Sequence, residues 1–286
     1  MSLPYATVPP IGYGPGSQPE GEDGLAYLPM PSGMRIYEPH LPEIDDVARA
    51  QPALETLEAI RLALAGWQPD GSTAIMLDRL DAEARRLVGE TLGEGEVSVL
   101  VETPAGRIEI QEATLAGLWR VRGAARPGPA AGTRERVEIA AFPRGALLRA
   151  FPCEWPVDLH QAAARPGIVN APALITEIVH RSRERRPGDP PHVVNLSLLP
   201  LTPEDVAALE AALGQGGVTI LSRGYGNCRI EATATAGVWR VRYFNSADAL
   251  ILDTIEVVEV PAVACAAPED IADSAMRLAD ILESVR

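Results

Sequence analysis

Lysine is missing: all 25 basic side chains of this 286-residue chain are arginine. That excludes Schiff-base lysine chemistry and the lysine of a nucleotide-binding P-loop. The all-arginine usage itself is most economically ascribed to GC-rich coding. Cysteine is scarce, with three thiols (Cys153, Cys228, Cys265) far apart and no CxxC. An odd number of isolated cysteines argues against a disulfide framework. The four histidines (His40, His160, His180, His192) are scattered, so no zinc site of ordinary spacing is expected. No apolar run approaches the roughly 18 residues of a membrane span, and MSLPYATVPP lacks the basic-then-apolar layout of a signal peptide. Carboxylates are abundant, but none forms an isolated close pair suited to acid–base catalysis. These absences predict a cytoplasmic chain with no metal and no cofactor, and they leave an enzyme acting through Cys228 as the least favoured reading.

The remaining composition is that of a globular protein, 47% hydrophobic with a net charge of -14. Such an acidic chain repels phosphate backbones, which argues against nucleic acid and favours a basic protein or peptide as partner. The bland alternative is that the charge only maintains solubility.

Residues 1–46 read as a mostly disordered tail, with prolines recurring among glycines and acids without periodicity. Within it, 27-YLPMPSGMRIY-37 carries aromatics and methionines that suit docking in extended form, against the alternative of a plain linker. Beyond the tail the sequence repeats. The phrase 117-GLWRVR-122 returns as 237-GVWRVR-242, and 77-LDRLDAEARRLVGETLGEGEVSVL-100 aligns without a gap on 198-LLPLTPEDVAALEAALGQGGVTIL-221. Further back 52-PAL-54 answers 172-PAL-174, and downstream 137-VEIAAFP-143 answers 255-IEVVEVP-261. Two tandem copies of one unit account for all four matches.

Copy two shows the unit's elements. A helix begins near Pro172, with Leu174, Ile175 and Ile178 on one side, and ends before 186-RPGDPP-191. A strand-like run, 193-VVNLSLL-199, follows. Thr202 is a good N-cap, Pro203 suits the first helical position, and Gly214 ends that helix. Four strands are expected from 218–222, 228–234, 238–244 and 250–260, and a closing helix from Pro268. The fold expected is α+β: two tandem copies of an α-β-α-β-β-β-β-α unit, each a mixed, mainly antiparallel sheet with helices on one face. Domain boundaries fall at 1–46, at 47–168 (copy one plus linker) and at 169–286. Copy one's closing helix is cut short by Pro152.

One stretch, 220-ILSRGYGNCRI-230, concentrates reactive side chains. A phosphate cradle needs glycines leading into a helix, whereas this loop runs strand to strand and matches 102-ETPAGR-107 of copy one, a plain turn. Gly224, Gly226 and Asn227 tolerate the positive φ of a tight hairpin. Tyr225 and Cys228 have no counterparts in copy one. Arg223 and Arg229 would stabilise a Cys228 thiolate, while the alternative is a small buried hydrophobe. Cys265, just before a helix N-terminus, is also placed to favour a thiolate. Two thiols alone make a poor iron–sulfur site, so a cluster on Cys228 and Cys265 would need a homo-oligomer or a partner. The repeated WRVR reads as scaffold, with Trp and Val facing the core and arginines facing water or a carboxylate.

The runs HVVNLSLLPLTPEDV, ILSRGYGNCRI, WRVRYFNS, LILDTIEVVEVP and VACAAPEDIADSAMRL resemble the C-terminal region of the HupH/HyaF family, closely over 192–279. The segment 27-YLPMPSGMRIYEPHLPE-43 resembles that family's N-terminal segment. These are nickel–iron hydrogenase expression/formation proteins. The resemblance implies a non-catalytic accessory protein or chaperone that binds the hydrogenase small subunit or its precursor before export, alongside other maturation proteins. The alternative is an iron–sulfur or metal scaffold on Cys228 and Cys265. The resemblance implies no catalytic residue. It carries over Arg223, Gly224, Tyr225, Gly226, Asn227 and Cys228 as a candidate recognition loop, with Tyr243, Phe244 and Asn245 after the second WRVR. Cys265 is a secondary candidate.

Overall fold

The computed structural model describes residues 47–124, 133–152, 157, 166–224 and 226–285. The expectations for the tail 1–46, including Tyr27 to Tyr37, and for Cys153, Tyr225 and much of the linker fall outside the described residues.

The first stretch runs α1 (Val47–Ala65), β1 (Thr73–Met76), α2 (Ala82–Leu92), β2 (Val97–Thr103), β3 (Gly106–Glu112), β4 (Leu118–Ala124), β5 (Thr133–Ile139) and α3 (Arg144–Ala150). The second begins with α4 (Ala171–Glu184), β6 (His192–Asn195), α5 (Pro203–Leu213) and β7 (Val218–Ser222). It continues with β8 (Asn227–Ala232), β9 (Val238–Phe244), β10 (Leu250–Val257) and α6 (Pro268–Val285), so both stretches present their elements in one order. Local chemistry sets the helix starts. The Asp81 side chain accepts from the Ala84 N–H at 2.8 Å. Thr202 and Asp205 form a reciprocal capping box at α5. The Asp205 carboxylate, fully buried, also accepts from the backbone N–H groups of Val169, Asn170 and Ala171, which ties the start of α4 to the start of α5. Among the described residues no helix is long and apolar enough to cross a membrane.

The sheet differs from the expected pair of mixed sheets. It is one ten-stranded sheet in the order β1-β5-β4-β3-β2-β7-β8-β9-β10-β6, and every pairing is antiparallel. The join is β2 with β7, where Val99 stands opposite Ile220. Left apart, those two strands would each present an unpaired edge, and pairing satisfies both. Nothing in the periodicity of a strand states which neighbour it takes.

The helices also depart from the expected single face. Successive side chains point to opposite faces of a strand. Leu118, Val137 and Ile139 share one face and pack with Leu57, Ile60 and Leu64 of α1 and Leu87 and Leu92 of α2. Val238, Ile255 and Val257 share that face at the other end and pack with Ile175 and Ile178 of α4 and Leu209 and Leu213 of α5. The opposite face carries Val99, Ile110, Trp119, Val121, Ile220 and Trp239, and it packs with Ala146 and Ala150 of α3. The small side chains of α3 let it lie against the middle of that second face, the closed face. The face bearing α1, α2, α4 and α5 is left uncovered at its middle.

The tryptophans of the two WRVR runs anchor the closed face. Trp119 and Trp239 are fully buried, and their indole N–H groups donate to the carbonyls of Ala140 and Glu259 at 2.9 and 3.1 Å. The closing segments cross between the two stretches. Phe151, just past α3, meets the ring of Trp239 edge-on. In the other direction, Ile271, Leu278 and Leu282 of α6 pack into the core built around α1. This explains why α1 is apolar on more than one side: it lies between the sheet layer and α6.

Candidate functional site

The loop that the sequence singled out is the tip of the β7–β8 hairpin. Arg223 is exposed and its backbone N–H donates to the Glu96 carbonyl at 3.1 Å. Gly226 has φ 104, the left-handed region that favours glycine. Asn227 donates from Nδ2 to Asp248 Oδ1 at 3.2 Å, and Asp248 belongs to the neighbouring β9–β10 turn. There the Asn245 side-chain oxygen accepts from the N–H groups of Ala247 and Ala249, both at 2.9 Å, and the main chain at Asp248 takes φ 56. Two hairpin tips are thus joined through Asn227, Asp248 and Asn245.

Cys228 points the other way, into the closed face, opposite Tyr243. It is 4% exposed and packs beside Tyr243 in that core. Burial pushes the thiol up to about 11, and likewise pushes the Tyr243 phenol up to about 12. Arg229 does not act on it: that side chain pairs with Glu231 on the open face. Cys265 borders the same core, half-buried, its Sγ 3.7 Å from the Pro261 carbonyl oxygen. Burial, then the charge of Glu259, pushes it up to about 11. For Cys228 this favours the small buried hydrophobe over the thiolate, the two readings the sequence had left open. Among the described residues no group of three or more His, Cys, Asp and Glu side chains is arranged to hold a metal.

A different feature stands on the open face, between the two helical layers. Register places Arg122, Glu109, Leu100, Thr219, Glu231 and Arg240 in one row across β4, β3, β2, β7, β8 and β9. Arg120, Gln111, Ser98, Leu221, Arg229 and Arg242 form the neighbouring row. A cavity of about 390 Å³ opens over the first-stretch end and the midline of these rows. Another of about 400 Å³ lies under α5, against Glu231, Arg240 and Arg242. The floor is wet and partly apolar: Leu221 is 42% exposed.

The floor arginines find their carboxylates within the sheet and α5. Arg120 and Arg122 both donate to Glu135, at 2.7 and 3.1 Å. Burial pushes the Glu135 carboxyl up, but the hydrogen bonds from Arg120 and Arg122 outweigh it and hold the group below its ordinary range. Arg240 is bidentate on Asp253, at 3.0 and 2.7 Å, and also meets Glu210. Arg229 and Arg242 share Glu231. The side chains of Glu94 and Glu109 also line the first cavity, and Glu109 stands opposite Arg122 in register. The WRVR arginines face carboxylates as the sequence indicated, while the rest of the floor escaped sequence reasoning, although strand alternation in 97–101 and 218–222 held a usable signal. It places Ser98, Leu100, Thr219 and Leu221 away from the valine and isoleucine face.

Residues 168–285 match the family described as HupH hydrogenase expression protein, C-terminal conserved region. The hydrogenase expression/formation protein HupH of Rhodobacter capsulatus is 48% identical over 98% of both chains. The chain belongs to the HupH hydrogenase expression/formation family. HoxQ of Cupriavidus necator, also named a hydrogenase expression/formation protein, is 45% identical over 97% of both chains. The hydrogenase-1 operon protein HyaF of Escherichia coli is 31% identical over 94% of both chains. A solved HupH structure from Thiobacillus denitrificans is 34% identical, covering 43% of this chain and 98% of that one, with a TM-score of 0.37. The HupH C-terminal region contains the joined hairpin tips, Cys228 and Cys265. The groove floor takes one half from that region and the other from β2, β3 and β4 ahead of it. Because the HupH and HoxQ relatives align over almost the whole chain, both halves of the floor fall inside the likeness.

Proposed function

We propose that the protein is a non-catalytic holding factor of nickel–iron hydrogenase maturation, which binds the small-subunit precursor in the cytoplasm before export. The observation that carries this reading is the groove on the open face. It is a long, shallow surface floored by six neighbouring strands, suited to a segment of a client chain and lacking any constellation for chemistry. Membership of a hydrogenase expression/formation family supplies the client system. The joined tips at Asn227, Asp248 and Asn245 serve as a lock that fixes the end of β7 and β8, and Arg223 on the tip offers a recognition side chain beside it.

We further propose that the two stretches are tandem copies of one α-β-α-β-β-β-β-α unit. The common element order supports this. So does the recurrence of one ion pair, Arg120 with Glu135 and Arg240 with Asp253, at matching places in each half.

The test is co-purification of the small-subunit precursor with the tagged protein at low salt, with and without the precursor's signal peptide. Retention of the precursor is expected. A precursor that stays in solution in both forms overturns the reading.

A further inference from the structure

The start of the closing helix, the end of β3 and the tip of the β7–β8 hairpin meet at one end of the sheet. Ile271, near the start of α6, packs against Gly117 in the β3–β4 turn, and the Ala266 N–H donates to the Ala141 carbonyl at 3.0 Å. The Glu112 carbonyl, at the end of β3, accepts from the Gly95 N–H at 2.7 Å. Next along the chain, Glu96 lays its carboxylate against Gly224, and its carbonyl accepts from the Arg223 N–H at 3.1 Å. Glu96 therefore joins the lead-in of β2 to the hairpin tip.

Glu112 is the half-buried member of three carboxylates at this junction. Glu96 acts on it from the lead-in of β2 and Asp270 from the first turn of α6, and both of these are exposed. Its neighbour across β4 is Trp119, which brings no charge. The positive end of the α6 dipole is already met by Glu269 and Asp270, so it offers little to a further anion. Burial first, and then the charges of Glu96 and Asp270, push the Glu112 carboxyl up to about 7.

We propose that Glu112 is a proton-operated catch on the closing helix. Protonated, it adds no charge beside Glu96 and Asp270, and the start of α6 stays seated on the end of β3. Ionised, it is a half-buried anion between two others, and the junction opens to relieve it. The first turn of α6 lifts, and the 223–224 tip loosens with Glu96. The remainder of α6, held on α1 through Leu278 and Leu282, stays docked. The closed junction holds the proton more tightly than the open one. Its advantage is therefore complete below about pH 4.5 and is lost as the pH rises to about 7. The catch is independent of what the groove holds.

The experiment is amide hydrogen exchange of the isotope-labelled full chain, read by NMR at pH 6, 8 and 9 and scaled for intrinsic exchange. The reporters are the Arg223, Ala266 and Ile271 amides. The Ile220 amide, in the middle of the sheet, is the reference for unfolding of the whole. The reporters are expected to open about tenfold more often at pH 8 than at pH 6, with almost no further change at pH 9. Low urea should leave their exchange unchanged while that of Ile220 rises, the mark of a local opening. Glu112→Gln is expected to abolish the change with pH. Asp270→Asn and Glu96→Gln, at exposed positions, are each expected to shrink it by removing one neighbouring charge.

Equal exchange at pH 6 and pH 8 overturns the proposal, and so does a change that survives Glu112→Gln. Reporter exchange that climbs with urea as Ile220 does belongs to unfolding of the whole fold, and the catch is then refuted. A pH effect that Asp270→Asn and Glu96→Gln both leave intact belongs to burial alone and removes the link to α6 and the tip.

Discussion

Phe151 and Trp239 meet edge-on, ring centroids 5.1 Å apart at 76°, across the boundary between the two halves of the chain. Their counterpart within the first half is Trp119 with Phe142, at 5.9 Å and 67°. The aromatic that follows α3 therefore completes the core of the second half, while α6 completes the core of the first.

This exchange makes the sheet one cooperative unit. Phe151→Ala is expected to destabilise the whole described fold by about 3 kcal/mol. Urea unfolding followed by tryptophan fluorescence and by far-UV circular dichroism should give coincident transitions at a lowered midpoint. Two separated transitions would show that the halves unfold independently.

Asp205 predicts an acid-sensitive joint. Burial pushes its carboxyl up, but the N–H groups of Ala171, Val169, Thr202 and Asn170 more than reverse this and hold it far below the ordinary range. Its contribution is therefore complete above about pH 4 and declines as the pH falls below that value. Asp205→Asn should lower the melting temperature at pH 7, with the gap to wild type narrowing in more acid solution. Thr202→Ala, which removes one half of the capping box, should cost about 1 kcal/mol. Thermal scans of both variants between pH 3 and pH 7 provide the check.

Glu112 predicts the opposite slope. Burial, then the charges of Glu96 and Asp270, push its carboxyl up to about 7 against one opposing backbone hydrogen bond from Val97. The folded protein holds that proton more tightly than the unfolded chain, so stability falls as the pH rises from about 4.5 towards 7. Glu112→Gln should leave stability unchanged near pH 5 and raise it by roughly 1–3 kcal/mol at pH 8. Chemical denaturation at those two pH values decides it, and a variant weaker than wild type at pH 8 would refute the assignment.

The buried thiols predict inertness. With both sulfurs pushed up to about 11, Cys228 and Cys265 should resist iodoacetamide at pH 7.5 in the folded protein and react after denaturation. Peptide mapping by mass spectrometry reads each site separately. Rapid native labelling of Cys228 would contradict its 4% exposure beneath Tyr243.

Most element identities were legible in the sequence because they are written locally. The exception is 193–199, expected as one strand: it is strand only to Asn195 and turns as a 3-10 helix over Leu196–Leu198, where the Asn195 side chain caps it. Thr202, Pro203 and Asp205 announce a helix start, and the alternation in 218–222 and 238–244 announces strands. The glycine loop was legible as a hairpin for the same reason. Partnership was not legible. The stripe Ile271, Leu278 and Leu282 states that α6 buries a face, but nothing in it says that the surface belongs to α1, far back in the chain. The pairing of β2 with β7, and with it the groove floor, follows from two edges that each lack a neighbour. That is a property of the assembled sheet.

The packing of α6 against α1 also sets an order of events during synthesis. Helix α6 leaves the ribosome after every strand of the sheet, yet α1, made first, needs it for a covered core. At ordinary elongation rates the interval is on the order of tens of seconds. Throughout it the side of α1 that α6 covers stays open to other chains. The described fold is therefore complete only after α6 has emerged and docked, so the first helix made is the last to have its core closed.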